Sequence, residues 1–119
     1  MLELRNVTAG YGRTMVLDDV SVEVPTGDAV AVMGHNGAGK TTLLRAAVGL
    51  LPVRSGTVLL DGEDVTRLRP HGRVRRGLGY VPQGQQCFPQ MTTLENLQLV
   101  TTRKPDIGQV LDTFPALVP

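Results

Sequence analysis

The stretch Gly34–Thr42 reads GHNGAGKTT, with two glycines five residues apart and then a lysine and two threonines. This spacing matches G-x-x-x-x-G-K-[ST], the pattern of phosphate-binding loops. Glycines at these positions let main-chain N–H groups turn toward phosphate oxygens with no Cβ in the way. The start of a following helix adds partial positive charge at the same point. The stretch therefore predicts a loop that binds a nucleoside triphosphate.

Individual residues of this loop have expected roles. The Lys40 ammonium is expected to reach the β- and γ-phosphates of the nucleotide, and the Thr41 hydroxyl to coordinate Mg²⁺. His35 could also be a metal ligand or a base, but a single His has no partner set and a main-chain cradle position suits it better. The expected nucleotide contacts are Gly34, His35, Asn36, Gly37, Ala38, Gly39, Lys40, Thr41 and Thr42.

The segments on either side of the loop predict an α/β fold. Ala29–Met33 is a short continuous apolar run, which is typical of a strand buried on both faces in a parallel sheet. Beyond the loop, apolar residues recur at helical spacing until Pro52, which marks the end of the predicted helix. The residues that carry this spacing are Leu43, Leu44, Ala47, Val48 and Leu51.

Further strands and helices are predicted along the chain. LELRNV alternates loosely and VSVEV (Val20–Val24) alternates strictly, as half-buried strands do. GTVLLDGEDV predicts a strand and a tight Asp61-Gly62 turn, and Leu78–Val81 predicts another short strand.

Three signals predict helices in the second part of the chain. Pro70 is well placed to open a short helix. Thr92 and Glu95 have the spacing of a capping box, which predicts that a helix starts there. The tail is predicted to be partly helical from Ile107 to Phe114.

The composition is that of one small globular domain. The 119 residues are 41% hydrophobic and 19% charged, and twelve basic against eleven acidic residues give a net charge of +1. This balance favours neither a nucleic-acid nor an acidic partner. The single cysteine, Cys87, cannot form an intrachain disulfide, which fits a reducing compartment. Because no apolar run approaches the roughly 18 residues that span a bilayer, the chain is expected to be neither secreted nor inserted.

A basic segment, RLRPHGRVRRG, follows the Asp-Gly turn. A nucleic-acid site built on it would need aromatic residues to stack on bases or a broader positive field, and the sequence offers neither. A solvated helix face is the better interpretation. Its arginines are Arg67, Arg69, Arg73, Arg75 and Arg76.

Three motifs in a fixed order carry a resemblance to a known family. GHNGAGKTTLL contains the core Asn-Gly-Ala-Gly-Lys-Thr-Thr, LDGEDVT follows, and GYVPQ places Gln83 directly after a predicted strand. With these motifs the chain closely resembles the N-terminal half of an ABC-transporter ATPase subunit. The resemblance implies an incomplete P-loop NTPase fold of the ABC ATPase type with an N-terminal antiparallel β arm. Residues 1–119 would then run from Walker A to just past the Q-loop, with the C-terminal half absent.

The resemblance also implies roles for individual residues. Tyr11, in AGYGR, matches the aromatic residue that stacks on adenine, although it could be an ordinary loop residue between two glycines. Gly34–Thr42 matches the Walker A loop. Gln83 matches the Q-loop glutamine, which contacts Mg²⁺ and the attacking water and reports the nucleotide state to the membrane subunit. Thr41 and Gln83 are therefore the expected Mg²⁺ contacts.

The segment around Gln83 resembles one branch of this family in particular. It is similar to the ATPases of importers for branched-chain amino acids or urea, which share a GYVPQG…FP…T…ENL run. The implied partners are transmembrane permease subunits and a second ATPase subunit, identical or different, at the cytoplasmic face of the cell membrane; no nucleic acid is expected. The sequence departs from that run at Gln85, Gln86, Cys87 and Met91.

ATP hydrolysis needs more than this loop. Phosphoryl transfer also requires a carboxylate that holds Mg²⁺ and a group that positions the attacking water. Asp61 is one candidate carboxylate, but a hairpin turn through Asp61-Gly62 is the favoured interpretation. The sequence has no LSGGQ-like signature, no apolar strand that ends in Asp-Glu and no later switch histidine. We therefore expect the full-length family member to be an ATPase and this chain alone to be inactive.

Two other functions fit the same loop. One is a cassette that acts in DNA repair or translation rather than transport, which the GYVPQ…ENL run disfavours. The other is a non-catalytic remnant that binds nucleotide or another subunit. Because a parallel sheet cut in half would expose apolar strand edges, poor solubility is also expected.

Overall fold

The computed structural model describes residues 1–84, 87–99 and 107–117. These residues form two compact units, Met1–Tyr80 and Val81–Pro119. The first unit contains a mixed set of strands and helices, and the second contains helical segments only among its described residues. Gln85 and Gln86, two of the positions that depart from the importer pattern, lie outside the described residues.

The first unit is built on an antiparallel sheet of four strands. They are β1 (Leu2–Tyr11), β2 (Thr14–Val24), β3 (Val53–Leu60) and β4 (Glu63–Asp64), in the spatial order β2-β1-β3-β4. β1 lies in the middle, so that Leu4 pairs with Val22 on one side and with Val58 on the other. The predicted antiparallel arm and both of its alternating strands are confirmed.

The turn between β3 and β4 follows from local chemistry. Asp61 and Gly62 have φ angles of 49° and 80°, and two successive positive φ angles are what a two-residue hairpin turn needs. The Asp61 carboxylate forms an ion pair with the N-terminal amine of Met1. The predicted hairpin turn is therefore confirmed.

Helix α1 (Lys40–Val48) packs its apolar side against the sheet and closes the core of the first unit. The predicted helix after the loop is confirmed, with Gly49 at its C-terminal end. Residues from α1, β1, β2 and β3 share one apolar cluster with side chains from the segments that follow α1 and β4. The buried members are Leu4, Val7, Ala9, Leu17, Leu43, Ala46, Ala47, Leu51, Val58 and Val65.

The predicted parallel strand before the loop is wrong. Ala29–Met33 forms no strand and is exposed, and Met33 is 88% exposed. An apolar strand of a parallel sheet needs a neighbour at each edge and a layer on each face. Among the described residues, the four strands of the sheet pair only with one another, all in antiparallel fashion, and none of them pairs with Ala29–Met33.

Two further predictions are wrong. Leu78–Val81 forms no strand, and Val81 is 93% exposed. Helix α2 (Pro70–Val74) does begin at Pro70 as predicted. However, the arginines around α2 are not all on a solvated face, because Arg73 is 1% exposed. Its guanidinium bonds to main-chain carbonyls, an acceptor set that charge patterning alone does not reveal.

The second unit contains α3 (Thr93–Leu99), α4 (Ile107–Thr113) and a 3₁₀ turn (Pro115–Leu117). The capping box at the start of α3 is confirmed: Glu95 N–H donates to Thr92 Oγ1 at 3.2 Å, and Thr92 N–H donates to a Glu95 carboxylate oxygen at 2.7 Å. α4 confirms the predicted helical tail. No described helix in either unit has the length and apolar character needed to cross a bilayer.

Candidate functional site: the phosphate-binding loop

The loop Gly34–Thr42 lies at the N-terminal end of α1, where Gly39 starts the helix. Gly39 has φ 93°, and the Leu43 N–H donates to its carbonyl at 2.8 Å. A Cβ at Gly39 would lie 3.3 Å from Leu17 Cδ2 and 3.4 Å from Val16 Cγ1. Both the positive φ angle and the close packing against β2 therefore require glycine at the second invariant position of the motif.

The N-terminal end of α1 has neither a capping side chain nor an acidic residue in its first turn. An α-helix leaves its first four N–H groups without acceptors inside the helix. Here these groups belong to Gly39, Lys40, Thr41 and Thr42. The positive end of the helix dipole is therefore not neutralised by the helix's own side chains, which is the condition under which such an end attracts an anion.

Lys40 reaches back across the loop. Its Nζ donates to the carbonyls of Gly34 at 2.6 Å and His35 at 2.7 Å. The Ala38 N–H also donates to the His35 carbonyl at 3.2 Å, which tightens the same turn. None of the ion pairs among the described residues includes Lys40. The ammonium is thus held beside the loop main chain with its charge not matched by a carboxylate.

Tyr11 is brought to the same helix from the end of β1. Its hydroxyl forms hydrogen bonds with Thr42 and with Arg45, and these bonds lower the pKa of Tyr11, the Thr42 bond most. The Arg45 Nη1 lies 3.5 Å from the Tyr11 hydroxyl oxygen. The ring is 43% exposed. The structure thus places Tyr11 beside the last residue of the loop.

Arg45 is a residue of this region that the sequence did not single out. The hydrogen bond that Arg45 donates to the Tyr11 hydroxyl is the main cause that raises the Arg45 pKa, and Tyr80 adds a smaller contribution. Arg45 therefore links residues from the end of β1 and the end of the first unit to the helix that carries the loop. One signal in the sequence was its position one helical turn after Thr41, on the predicted helix.

Gln83 belongs to the second unit, where it is exposed in a bend before Gly84. Its pairing with Thr41 around Mg²⁺ stays a prediction. A hydroxyl and an amide oxygen are ligand types that suit Mg²⁺, which also keeps waters and phosphate oxygens in its shell. Together with the uncapped helix end and the Lys40 ammonium, the residues of the loop fit a Mg²⁺-bound polyphosphate. His35 is exposed, and the described residues contain no group of three or more His, Cys, Asp and Glu side chains that could hold a metal.

Comparison with known proteins agrees with the architecture of this region. A family model described as "ABC transporter" matches residues 17–117. A probable branched-chain amino acid transport ATP-binding protein of Archaeoglobus fulgidus is 38% identical over 98% of this chain and 52% of its own length. The lipopolysaccharide export system ATP-binding protein of Escherichia coli K12 is 37% identical, over 90% of this chain and 44% of its own.

Other relatives extend the range of transported solutes. A ribose import ATP-binding protein of Streptococcus agalactiae is 36% identical over 98% of this chain and 25% of its own length. The chain therefore spans about half or less of the curated relatives described here.

The solved structures that resemble this chain are also ATP-binding cassettes. An ATP-binding cassette of an ABC transporter superposes with a TM-score of 0.76 at 33% identity, over 83% of this chain and 39% of that one. A dimeric ATP-binding cassette in a post-hydrolysis state, bound to ADP and Pi, superposes with a TM-score of 0.72 at 31% identity, over 84% and 46% of the two chains. The ABC ATPase type of α/β fold, with its antiparallel arm, is thereby confirmed.

Proposed function

This chain belongs to the ABC transporter family, and we propose that it forms the nucleotide-binding N-terminal part of an ATP-binding subunit that energises transport across a membrane. The observation that carries the proposal is the arrangement at the start of α1. An uncapped helix end, a glycine with φ 93° and the Lys40 ammonium all lie within one short loop. Such a loop has the features that stabilise a triphosphate.

In this proposal the chain binds ATP through the main chain of its loop. The N–H groups from Gly37 to Thr42 would surround the β- and γ-phosphates, and Lys40 would exchange its carbonyl contacts for phosphate oxygens. Tyr11 would stack on adenine, because its ring lies beside Thr42 and is partly exposed. The remaining expected contacts are Gly34, His35 and Asn36.

Mg²⁺, when bound, neutralises charge that develops on the transferred phosphoryl group. We assign its protein contacts to the Thr41 hydroxyl and the Gln83 amide oxygen. The further groups needed for hydrolysis, a metal-binding carboxylate and a signature segment, are not recognisable in the sequence. ATP hydrolysis would therefore be the activity of a longer protein or of an assembly that supplies these groups.

The proposed partners are transmembrane permease subunits and a second ATP-binding subunit. The solved relative with ADP and Pi is dimeric, which supports pairing of two such domains. We place the subunit at the cytoplasmic face of the cell membrane, because ATP would have to reach the loop there. A nucleic-acid partner is not favoured by the net charge of +1.

For the transported solute we propose branched-chain amino acids or urea. The GYVPQG…FP…T…ENL run supports this choice, as does the 38% identity with the Archaeoglobus fulgidus protein. Export of lipopolysaccharide and import of ribose are the alternatives, since relatives with those names reach 37% and 36%. Uptake of labelled leucine, urea and ribose by cells that lack the gene would decide between them. Loss of ribose uptake alone would contradict our proposal.

The nucleotide-binding proposal is tested with the purified chain. Calorimetric titration should detect binding of Mg-ATP to the wild-type chain and much weaker binding to Lys40→Ala. The rate of phosphate release should be the same for both chains. Hydrolysis that depends on Lys40 would overturn the second expectation and make Asp61 a candidate metal ligand again.

Experiments can distinguish the proposed transport function from the two alternative functions. Copurification with a membrane permease is expected for a transport subunit, whereas ribosomes or DNA are expected for a cassette that acts in translation or repair. A chain that binds Mg-ATP but copurifies with no second subunit carrying an LSGGQ-like signature would instead be a non-catalytic remnant.

A further inference from the structure

Arg73 is the largest fully buried side chain among the described residues. It lies in α2 within the first unit and is 1% exposed. Burial lowers the pKa of the guanidinium, and Asp64 opposes this effect in part. None of the ion pairs in the described part of the chain includes Arg73. A buried cation without a paired carboxylate must be stabilised by other dipoles.

Those dipoles are main-chain carbonyls. Nη1 donates to Ala46 at 2.9 Å and to Ala47 at 2.5 Å, and both acceptors lie in the last turn of α1. Nη2 donates to Thr66 at 2.8 Å and Nε to Leu68 at 3.2 Å. The guanidinium thus fixes the negative end of the α1 dipole to the segment between β4 and α2.

Gly49 shows how closely the C-terminal end of α1 approaches Arg73 and Leu68. It ends α1 with φ 82°. A Cβ at this position would lie 2.9 Å from Arg73 Nε and 3.0 Å from the Leu68 carbonyl oxygen. The C-terminal end of α1 is therefore shaped to receive the guanidinium at close range.

The same helix carries the phosphate-binding loop at its other end. α1 has nine residues and, at 1.5 Å per residue, is about 13 Å long. A helix this short moves as one body, so a tilt or slide at its C-terminal end displaces the loop N–H groups. Displacement by about 1 Å is enough to weaken a site that depends on aligned donors.

We infer that Arg73 is a positioning residue for nucleotide binding, which holds α1 by its C-terminal carbonyls and so fixes the phosphate-binding loop at the opposite end. The inference rests on the proposed ATP-binding function of that loop. Arg73 itself touches neither the loop nor the expected position of the phosphates. A residue with only a stabilising role would change the melting temperature and leave the affinity of the folded protein unchanged.

The affinity test compares Arg73→Met and Arg73→Lys with Arg75→Met and Arg75→Lys. Arg75 is exposed and follows directly after α2, which makes it the matched control. The Kd for Mg-ATP is measured by calorimetry at a temperature where circular dichroism shows each variant folded. We expect Arg73→Met to raise the Kd about tenfold and Arg73→Lys about threefold, and the Arg75 variants to keep the wild-type Kd. If Arg73→Met does not fold, Arg73→Lys alone decides.

A chemical rescue separates positioning from stabilisation. Arg73 lines an open groove of about 790 Å³ together with Gly49, Thr66 and Leu68. Guanidinium at millimolar concentration can therefore reach the space left in Arg73→Ala. We expect it to restore the Kd for Mg-ATP toward the wild-type value, whereas urea, a neutral molecule of the same shape, should not.

The outcomes distinguish this inference from the proposed function. Wild-type Kd values in folded Arg73→Met and Arg73→Lys would overturn the inference alone. Rescue of the melting temperature by guanidinium without rescue of the Kd would do the same. A wild-type chain that binds no Mg-ATP would overturn the proposed function and, with it, this inference.

Discussion

The two ends of α1 satisfy their main-chain groups in opposite ways. At the C-terminal end, Gly49 caps the helix and Arg73 donates to the carbonyls of Ala46 and Ala47. At the N-terminal end no side chain caps the helix, and Gly34 to Ala38 of the loop are exposed. The carbonyl groups at the C-terminal end accept hydrogen bonds from the protein itself, whereas the N–H groups at the N-terminal end have no side-chain acceptor. The difference identifies the N-terminal end as the one that is free to take up a ligand.

The start of α3 contrasts with the open N-terminal end of α1. Thr92 and Glu95 exchange hydrogen bonds at the start of α3, so donors there are occupied by the chain's own side chains. α1 has Gly39 at the corresponding position, which has no side chain to donate or accept. The predictions below test these ends one at a time.

The largest effect is expected from Lys40→Ala. The substitution removes the ammonium that bridges the carbonyls of Gly34 and His35 and that would contact phosphate. We expect Mg-ATP to bind about 100-fold more weakly, as measured by calorimetry. Arg75→Ala removes one positive charge at an exposed position and should leave the Kd unchanged. Equal losses in the two variants would mean that net charge, rather than the loop, governs binding.

Gly49→Ala should damage the closed end of α1. Alanine is strained at φ 82°, and its Cβ would lie 2.9 Å from Arg73 Nε. Gly27 has a similar φ of 85° and no atom within 4 Å of the corresponding Cβ, so Gly27→Ala reports backbone strain alone. We expect the free energy of unfolding to fall by about 2 kcal/mol for Gly49→Ala and by about 1 kcal/mol for Gly27→Ala. Equal losses in urea denaturation would contradict the close approach of Arg73.

The smallest effect concerns the capped start of α3. Hydrogen bonds from the Thr92 N–H and hydroxyl lower the pKa of Glu95 below its ordinary value. A carboxylate with a lowered pKa stabilises the helix at a pH above its ordinary pKa, and this contribution is lost as the pH falls through the lowered pKa. The helicity of α3 in the wild type should therefore decrease on acidification. The NMR chemical shifts of its Cα atoms measure this change. Glu95→Gln should remove that pH dependence, whereas Thr92→Ala, which keeps the main-chain N–H and loses only the hydroxyl, should remove only part of it. Thr93→Ala should retain all of it.

Local chemistry explains which elements the sequence predicts correctly. The Asp61-Gly62 turn, the Thr92–Glu95 capping box and the loop at α1 each depend on residues only a few positions apart. β1 and β2 pair through a short connection, so their alternation is enough to place them. These features could be read without knowledge of any distant partner.

The predictions that fail depend on distant partners. A strand at Ala29–Met33 requires neighbours that the described residues do not provide. Arg73 is buried because carbonyls 26 and 27 residues away accept its hydrogen bonds, and a charge pattern contains no information about them. The contacts of Tyr11 with Thr42 and Arg45 are equally remote in sequence. The sequence therefore predicts the loop of the candidate site but not the side-chain contacts around that loop.

Amide hydrogen exchange with and without saturating Mg-ATP tests the open end of α1 most directly. We expect slower exchange at the amides of Gly37 through Thr42 and no change at Ala47 through Gly49, since the latter are already satisfied within the protein. Unchanged exchange throughout the loop at saturating Mg-ATP, or protection confined to the C-terminal end, would contradict the account.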